Sequence, residues 1–220
     1  MISHQYKCIF IHIPKTAGTS IEKKLDHFTE LKDGVQDHRP VKLIEPYTLS
    51  EVVRGVGTGN KSKKAKYELI RNYFRPLLTR SQYKTYFKFT FVRNPWDRVY
   101  SWYKNVLRYE PHQQSLGIGL DCSFEDFLLK YGKQWALQPQ LTWIKRRDGR
   151  IEMDFIGRFE NLENDFAYVA EKIGLENCEL PQMLVSNNER YTKSYDSRLI
   201  DFVGEKYREE IELFGYKFGD

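Results

Sequence analysis

Cysteine is scarce in this chain, and no apolar run is long. The 220 residues include three cysteines, Cys8, Cys122 and Cys178, which are far apart and form no Cys-x-x-Cys pair. An odd, dispersed set argues against a disulfide framework and a structural zinc site, and it fits a reducing compartment. The first apolar run, residues 8–13, is far shorter than the ~20 residues of a membrane span and lacks a signal-cleavage site. The sequence therefore predicts a cytoplasmic protein without a membrane span.

Neither sign of charge dominates the chain. It has 35 Lys and Arg against 30 Asp and Glu, a net charge of +5, which favours anionic ligands without requiring nucleic acid. The densest basic runs, 61–66 and 145–150, are short, and we expect them to be solvated surface. Carboxylates and histidines show no metal-ligand spacing. We therefore expect neither nucleic acid nor a metal ion as a partner.

Apolar runs alternate with helical patterns along the chain. Strands are predicted at 8–13, 85–92 and 154–159, with one strongly apolar face on the second. Strands that alternate with helices indicate an α/β fold with a mainly parallel central sheet flanked by helices. The length and the 40% hydrophobic content fit a single domain over 1–220. Three glycines and a polar run predict a flexible polar insertion around 55–66.

Capping residues and apolar periodicity mark the helices. The predicted helices begin at Thr19, Lys66, Asn94, Ser123, Asn161 and Asp196, and the last of them runs unbroken to Gly215. Asp148-Gly149 predicts a tight hairpin turn after the fourth of these helices.

Residues 13–20 read Ile-Pro-Lys-Thr-Ala-Gly-Thr-Ser and join the first strand to the first helix. The first amides of a helix have no intrahelical acceptors, so a strand–loop–helix turn suits an anion. Lys15 adds a full charge, and a βα turn with a solvated Lys is the simplest alternative. The common phosphate-binding loop has its Lys after the last Gly, whereas Lys15 precedes Gly18. A second motif is needed to decide between an anion-binding loop and a simple βα turn.

The second motif is Phe-Val-Arg-Asn-Pro-Trp-Asp-Arg-Val-Tyr-Ser at 91–101. A strand ends at Arg93, where open α/β sheets bind ligands, and a helix capped by Asn94 follows. Ser101 lies seven residues past Asn94, two turns on and about 10 Å along the axis, on the same helical face. A guanidinium and a hydroxyl so placed can hold one phosphate between them.

Together the two motifs resemble those of sulfotransferases that use 3'-phosphoadenosine 5'-phosphosulfate (PAPS), in the branch that includes carbohydrate O-sulfotransferases. Blocks at 138–140, 153–162 and 212–218 extend the resemblance over nearly the whole chain. It implies a P-loop-like sulfotransferase fold, PAPS as donor, 3'-phosphoadenosine 5'-phosphate (PAP) as product, no metal, and a hydroxyl acceptor on a glycan or other small molecule. The implied 5'-phosphosulfate site comprises Lys15, also catalytic, with Thr16, Ala17, Gly18, Thr19 and Ser20. The implied 3'-phosphate site comprises Arg93 and Ser101.

A histidine suits the proton transfer from the acceptor hydroxyl, because its pKa lies near neutrality. The resemblance implies a catalytic histidine after the first helix, which makes His38 the candidate base and His27 its alternative. His12 is expected to brace the loop. Five aromatic residues offer faces for a sugar, although their spacing favours helix packing: Trp96, Trp102, Tyr103, Trp135 and Trp143.

Two other classes of function remain open at this point. A nucleotide phosphotransferase would need Mg²⁺ and a carboxylate that holds it, and no Asp follows a strand in that setting. A non-catalytic module for a polyanion would need a continuous basic and aromatic surface. The basic runs here are too short and interrupted to predict one.

Overall fold

A four-stranded sheet forms the centre of the protein. The computed structural model describes residues 1–27, 36–57, 61–181 and 190–220. The strands are β1 (Ile2–Ser3), β2 (Cys8–Ile11), β3 (Phe87–Val92) and β4 (Phe155–Arg158), arranged in that order. β2, β3 and β4 are parallel and β1 is antiparallel to β2. The α/β prediction with a mainly parallel sheet is confirmed.

Helices surround this sheet. In chain order the α-helices of the described residues are α1 (Gly18–Lys24), α2 (Val41–Ile44), α3 (Leu49–Gly57), α4 (Lys63–Phe74), α5 (Arg80–Thr85), α6 (Pro95–Arg108), α7 (Glu110–Leu116), α8 (Phe124–Tyr131), α9 (Leu141–Ile144), α10 (Leu162–Ile173), α11 (Ser197–Lys206) and α12 (Arg208–Phe214). Short 3-10 turns occur at Trp135–Leu137, Phe159–Asn161 and Tyr191–Ser194.

Alternation along the strands divides the core between the two faces of the sheet. Ile9 and Ile11 belong to one buried cluster, whereas Phe10 belongs to another with Phe89 and Phe91, because successive strand residues point to opposite faces. The first cluster includes side chains of α6, α8 and α11, and the second includes side chains of α1 and α10. Both faces of the sheet are therefore covered by helices.

The second face of β3 is polar but buried, which the alternating pattern did not predict. Lys88 is 3% exposed, and its ammonium donates to the carbonyls of Tyr83 and Tyr86. The hydroxyl of Thr90 donates to the carbonyl of Ile11 on the neighbouring strand at 2.7 Å. Buried polar groups are tolerated when they are hydrogen-bonded in this way.

Two segments differ from the sequence-based prediction. The last helix is broken in two, because α11 ends at Lys206 and α12 begins at Arg208, after Tyr207. In the predicted insertion, α3 extends through Gly57 and α4 begins at Lys63. Residues 58–60 lie outside the described residues, so the flexibility of the insertion stays a prediction, as does the single-domain boundary.

The topology brings two loops together. β2 and β3 are parallel neighbours with Ile11 opposite Thr90, so both strands end at the same edge of the sheet. The loop that begins at Pro14 and the turn that begins at Arg93 leave from that edge, where open α/β sheets bind their ligands.

Candidate active site

The loop between β2 and α1 has an unusual backbone. Lys15 and Ala17 have φ angles of 70° and 65°, in the left-handed region that residues with a Cβ rarely adopt. Thr16, between them, is fully buried, and its hydroxyl donates to the carbonyl of Ile13 at 2.9 Å. We expected that hydroxyl to serve the anion. In the structure it closes the turn, because burial directs it back to the strand end, and its contact with a donor stays a prediction.

Gly18 is required by a close approach to His12. A Cβ at residue 18 would lie 2.0 Å from Cδ2 of the His12 ring. His12 is 2% exposed, and its Nδ1 lies 3.0 Å from Oε1 of Glu22. Burial lowers the pKa of His12 to about 3, so the ring is neutral at pH 7. As expected, His12 braces the loop.

The first turn of α1 supplies only part of the expected donor set. The amide of Ser20 donates to the carbonyl of Ala17 at 3.0 Å, so it is used inside the turn. Gly18 and Thr19 hold the first two helical positions, whose amides have no intrahelical acceptor. The hydroxyl of Thr19 lies 2.8 Å from the side-chain amide group of Gln36.

The Lys15 side chain reaches helix α6. Its Nζ lies 3.3 Å from Oδ1 of Asn105. Burial, with the nearby positive charges of Arg93 and Arg108, lowers the pKa of Lys15 to about 8. The ammonium therefore predominates at pH 7 and is lost in mildly alkaline solution.

The Arg93 guanidinium is held on three sides. Its Nε and Nη2 each donate to Oδ2 of Asp97 at 2.8 Å, and its Nη1 donates to the carbonyl of Lys15 at 3.1 Å. The Phe159 ring lies 3.9 Å from the guanidinium carbon. A guanidinium has five N–H groups, so these contacts leave one on each Nη. Arg93 thereby joins the strand-end turn to the β2–α1 loop.

A buried amide fixes the backbone of Arg93. The side chain of Gln140 accepts from the Arg93 amide at 2.8 Å and donates to the Arg93 carbonyl at 2.9 Å. Gln140 is itself held by Glu210, which accepts from its backbone and side-chain N–H groups. Gln140 and Glu210 are both 0% exposed. On the next residue, the amide of Asn94 donates to Glu160 at 2.6 Å.

One edge of α6 faces both cations. Asp97, Ser101 and Asn105 follow one another at intervals of four residues, so they form a row along the helix. Asp97 pairs with Arg93 and Asn105 contacts Lys15. Ser101 therefore lies on α6 between the two contact points.

His38 lies beside the loop. Its Nδ1 is 3.2 Å from the carbonyl of His12, and its Nε2 is 2.9 Å from the amide group of Gln36. A carbonyl only accepts, so Nδ1 carries the proton and Nε2 accepts in the neutral ring. With the Gln36 amide turned so that its nitrogen faces His38, it donates to Nε2 and its oxygen accepts from the Thr19 hydroxyl. Burial, together with the neighbouring His12, lowers the pKa of His38 to about 4.

The aromatic side chains are not equally available to a sugar. Trp96, Trp102 and Trp143 are each 6% exposed, which confirms that they pack in the core. Trp135 is 49% exposed, and its ring centroid is 5.1 Å from that of His38. Trp135 is therefore an accessible aromatic face next to the candidate base.

The basic hairpin after α9 is neutralised by carboxylates. Its ion pairs are Lys145 with Glu209, Arg146 with Glu45 and Glu152, Arg147 with Glu45 and Glu51, and Arg150 with Asp148. These cations are paired within the protein, so this run differs from the solvated surface that the sequence predicted.

A model of the Sulfotransferase family matches residues 1–217. The chain belongs to the Sulfotransferase family. The two motifs at 13–20 and 91–101 thus occur in a chain whose family membership covers nearly its whole length.

Relatives of this chain are distant. Carbohydrate sulfotransferase 10 of Xenopus laevis is 22% identical over 98% of this chain and 66% of its own length. Carbohydrate sulfotransferase 14 of Danio rerio is 25% identical over 62% of this chain and 46% of its own length. An uncharacterized protein of Archaeoglobus fulgidus is 38% identical over 41% of this chain and 69% of its own length. The chain thus spans less than two thirds of the length of these two carbohydrate sulfotransferases. No solved structure matches.

The described residues contain neither a metal-binding cluster nor a membrane-spanning helix. Within residues 1–27, 36–57, 61–181 and 190–220, no three His, Cys, Asp or Glu residues are grouped to hold a metal ion. None of the helices in those ranges combines the length and apolar content needed to cross a bilayer.

Sequence reasoning missed several residues that shape this site. Asp97 and Asn105 lie four residues to either side of Ser101, a spacing from which they could have been found. Gln140 and Glu210 carry no such signal, because their contact joins positions 70 residues apart. The ring of Phe159 stacks on Arg93, a contact that residue spacing does not indicate.

Proposed function

We propose that this protein transfers a sulfuryl group from PAPS to a hydroxyl of a carbohydrate acceptor. The observation that carries the proposal is the hydrogen bond from Arg93 to the carbonyl of Lys15. It joins two cationic groups at the ends of adjacent parallel strands. A donor with a phosphosulfate at one end and a 3'-phosphate at the other requires two such anion sites close together.

The β2–α1 loop suits the phosphosulfate end. Lys15 supplies a positive charge, and the amides of Gly18 and Thr19 lie at the open end of α1. As the sulfur–oxygen bond to the phosphate breaks, negative charge grows on the departing phosphate oxygen. Fixed donors around that oxygen stabilise the transition state more than the ground state. We therefore assign to Lys15 the stabilisation of the negative charge on the departing phosphate oxygen.

The Arg93 turn suits the 3'-phosphate. The pairing with Asp97 and the stacking on Phe159 fix the plane of the guanidinium. The one N–H left on each Nη supplies two charged donors for phosphate oxygens. Ser101, one turn beyond Asp97 on α6, adds a hydroxyl on the same side.

His38 is the proposed general base. The new bond forms between the acceptor oxygen and sulfur, and the hydroxyl proton passes to Nε2 of His38. The hydrogen bond from Nδ1 to the carbonyl of His12 keeps Nε2 unprotonated in the neutral ring. Gln36 connects His38 to Thr19 of the loop, which supports a position of the base near the sulfur. His38→Ala should therefore lower the rate of sulfuryl transfer ~10² to 10⁴-fold.

A carbohydrate acceptor is supported by Trp135. An exposed aromatic face beside the base offers a sugar ring an apolar surface while its hydroxyls reach a proton acceptor. Two relatives of this chain are named carbohydrate sulfotransferases. The proposed acceptor is therefore a glycan hydroxyl, with Trp135 as one wall of its site.

The experiment that tests the donor is a thermal-shift comparison of PAP, ADP and ATP without and with Mg²⁺. PAP at a hundred times its dissociation constant should stabilise the fold by about 2.7 kcal/mol, and ADP, which lacks the 3'-phosphate, should do far less. Arg93→Ala should abolish the preference for PAP. Arg198→Ala, a change at an arginine paired on the surface with Glu125, should leave it intact.

Other outcomes would support the competing functions. Equal shifts from ADP and PAP would remove the basis for the 3'-phosphate site. A shift that requires Mg²⁺ would favour a nucleotide phosphotransferase. PAP binding without transfer of label from ³⁵S-PAPS to any of a panel of glycans would contradict the proposed acceptor class.

A further inference from the structure

The positive charge of the protein is concentrated in one segment, residues 49–85, which contains α3, α4 and α5. This segment carries nine Lys and Arg against two Asp and Glu, a net charge of +7. The whole chain has a net charge of +5, so the remaining residues are slightly acidic. The excess of positive charge is therefore a local property of this segment.

The same segment exposes large apolar side chains. Exposed fractions of such residues are 59% for Leu49, 63% for Val53, 65% for Tyr67, 74% for Phe74 and 52% for Leu77. Single exposed apolar residues are ordinary, whereas several within one short segment mark a contact surface.

On α4 the apolar residues form a stripe. At 100° per residue, Tyr67, Ile70 and Phe74 fall within about 60° of one another. Leu69 lies on the opposite side, where it is 9% exposed and contacts Gly55 of α3. The stripe therefore faces away from the packed side of the helix.

Cationic residues flank this stripe on both sides. By the same helical geometry, Lys66 lies at one edge of the stripe, and Lys64, Arg71 and Arg75 lie at the other. Lys63 lies in line with the stripe, about one turn before Tyr67. Across the described ranges of the chain, neither Lys63, Lys64 nor Lys66 forms an ion pair. An apolar stripe with Lys and Arg at its borders is the pattern of helices that lie in the interface of an anionic bilayer.

Hydrogen bonds hold helices α3 and α4 in place. Glu51, near the start of α3, accepts from Nε of Arg147 in the hairpin after α9 at 2.8 Å. Ser62 caps α4 through the amide of Ala65.

We propose that the α3–α4 surface, defined by its exposed apolar residues 49, 53, 67, 70, 74 and 77 with the flanking cations, docks this protein on membranes that contain anionic phospholipid.

The charge and apolar content of the α3–α4 surface argue against two other binding partners, a second copy of the chain and a soluble polyanion. Two copies that met through this surface would bring segments of +7 together, and like charges oppose that contact. A soluble polyanion would pair with the cations but would leave the apolar stripe in water. An anionic bilayer satisfies both features, since it offers charged headgroups above an apolar interior. The inference does not depend on the proposed sulfuryl transfer.

The test is co-sedimentation of the full chain with vesicles of phosphatidylcholine alone or with phosphatidylserine. We expect binding only to the acidic vesicles, and weakening as salt screens the headgroup charge. Phe74→Ser/Leu77→Ser should weaken binding about tenfold or more, because apolar area no longer enters the interface. Its matched control, Phe202→Ser/Leu213→Ser, changes the same residue types at exposed positions elsewhere, 41% and 56% exposed, and should bind normally.

Single Lys→Gln substitutions separate electrostatic attraction to the lipid headgroups from insertion of the apolar stripe. Lys63→Gln and Lys64→Gln should each weaken binding roughly fivefold, the effect expected for one cation near an acidic surface. Lys133→Gln and Lys172→Gln, at exposed lysines outside the segment, should not. The stabilisation by PAP should be unchanged in all of these variants, which separates this proposal from the proposed function and checks folding.

Three results would overturn the proposal. Equal binding by the apolar variant and its control would exclude insertion of the stripe. Binding to heparin or RNA that exceeds binding to acidic vesicles and survives Phe74→Ser/Leu77→Ser would identify a polyanion surface. A dimer in sedimentation that dissociates in Phe74→Ser/Leu77→Ser would identify a second copy as the occupant.

Discussion

The pH dependence of kcat/KM tests the two catalytic assignments at once. If His38 is the base, its neutral form is required, so activity is present above its pKa and is lost as pH falls through about 4. If the Lys15 ammonium is required, activity is lost as pH rises through about 8. The expected profile is a bell with limbs near these two values.

Burial moves both limbs away from their ordinary positions. At about pH 5.5, a histidine with a pKa of about 4 is almost entirely neutral, whereas one with the usual value of ~6.5 is only about a tenth neutral. At about pH 9, the Lys15 ammonium is about a tenth populated, against nearly full population at the ordinary lysine value of ~10.4. Near-full activity at the first pH and about a tenfold loss at the second are therefore expected.

The assay is initial-rate transfer of label from ³⁵S-PAPS across this range, with folding followed by circular dichroism. Lys15→Arg should lose the alkaline limb in whatever activity remains, because a guanidinium keeps its charge. Arg108→Ala should move that limb upward, because the positive charge of Arg108 contributes to the lowered pKa of Lys15. An acid limb near 6.5, or one that persists in His38→Ala, would refute the role assigned to His38.

Three further predictions concern the same site. Lys15→Ala should lower kcat more than it weakens PAP binding, whereas Arg93→Ala should weaken PAP binding outright, as measured by single-turnover rates and calorimetry; equal effects of the two changes would contradict separate sites. Gly18→Ala should destabilise the fold by about 1–3 kcal/mol and lower PAP affinity, because a Cβ would overlap the His12 ring; an unchanged melting temperature would contradict the close approach. Gln140→Leu should cost about 2–5 kcal/mol of stability, since it leaves the amide and carbonyl of Arg93 unpaired and removes the side-chain hydrogen bond to Glu210, although the backbone hydrogen bond to Glu210 remains; Gln138→Leu, at an exposed position, is its control.

The sequence predicted the three parallel strands and the two loops because their signals are local, whereas the two-residue edge strand β1 was missed. Alternating phenylalanines define β3, and the Asn94 side chain accepts from the amide of Trp96 as a cap should. Prolines after β2 and at the start of α6 mark where each strand gives way to a loop. The carboxyl ends of both strands then follow from parallel pairing, so Lys15 and Arg93 were expected at one edge.

Features that depend on distant contacts were missed. The break between α11 and α12 falls within a continuous apolar stripe, and the fully buried Tyr207 donates there to the carbonyl of Leu137. The lowered pKa of His38 comes from burial beside His12 and two tryptophans, which residue spacing does not reveal. The hydroxyl of Thr16 has the right type and position for a ligand contact, and only the structure reveals that it faces the strand.

Helix α6 shows how one element contacts both of the proposed anion sites. Asp97 meets the Arg93 side chain at the start of the helix, and Asn105 meets Lys15 two turns further on. The row that joins them rises about 6 Å for each four residues, so Ser101 is held at a fixed distance from both cations. Arg93 in turn donates to the carbonyl of Lys15, closing a ring of contacts through the loop, the strand end and the helix. A shift of any one member changes the spacing of the two cations, which is the quantity that a donor with two separated phosphates would sense.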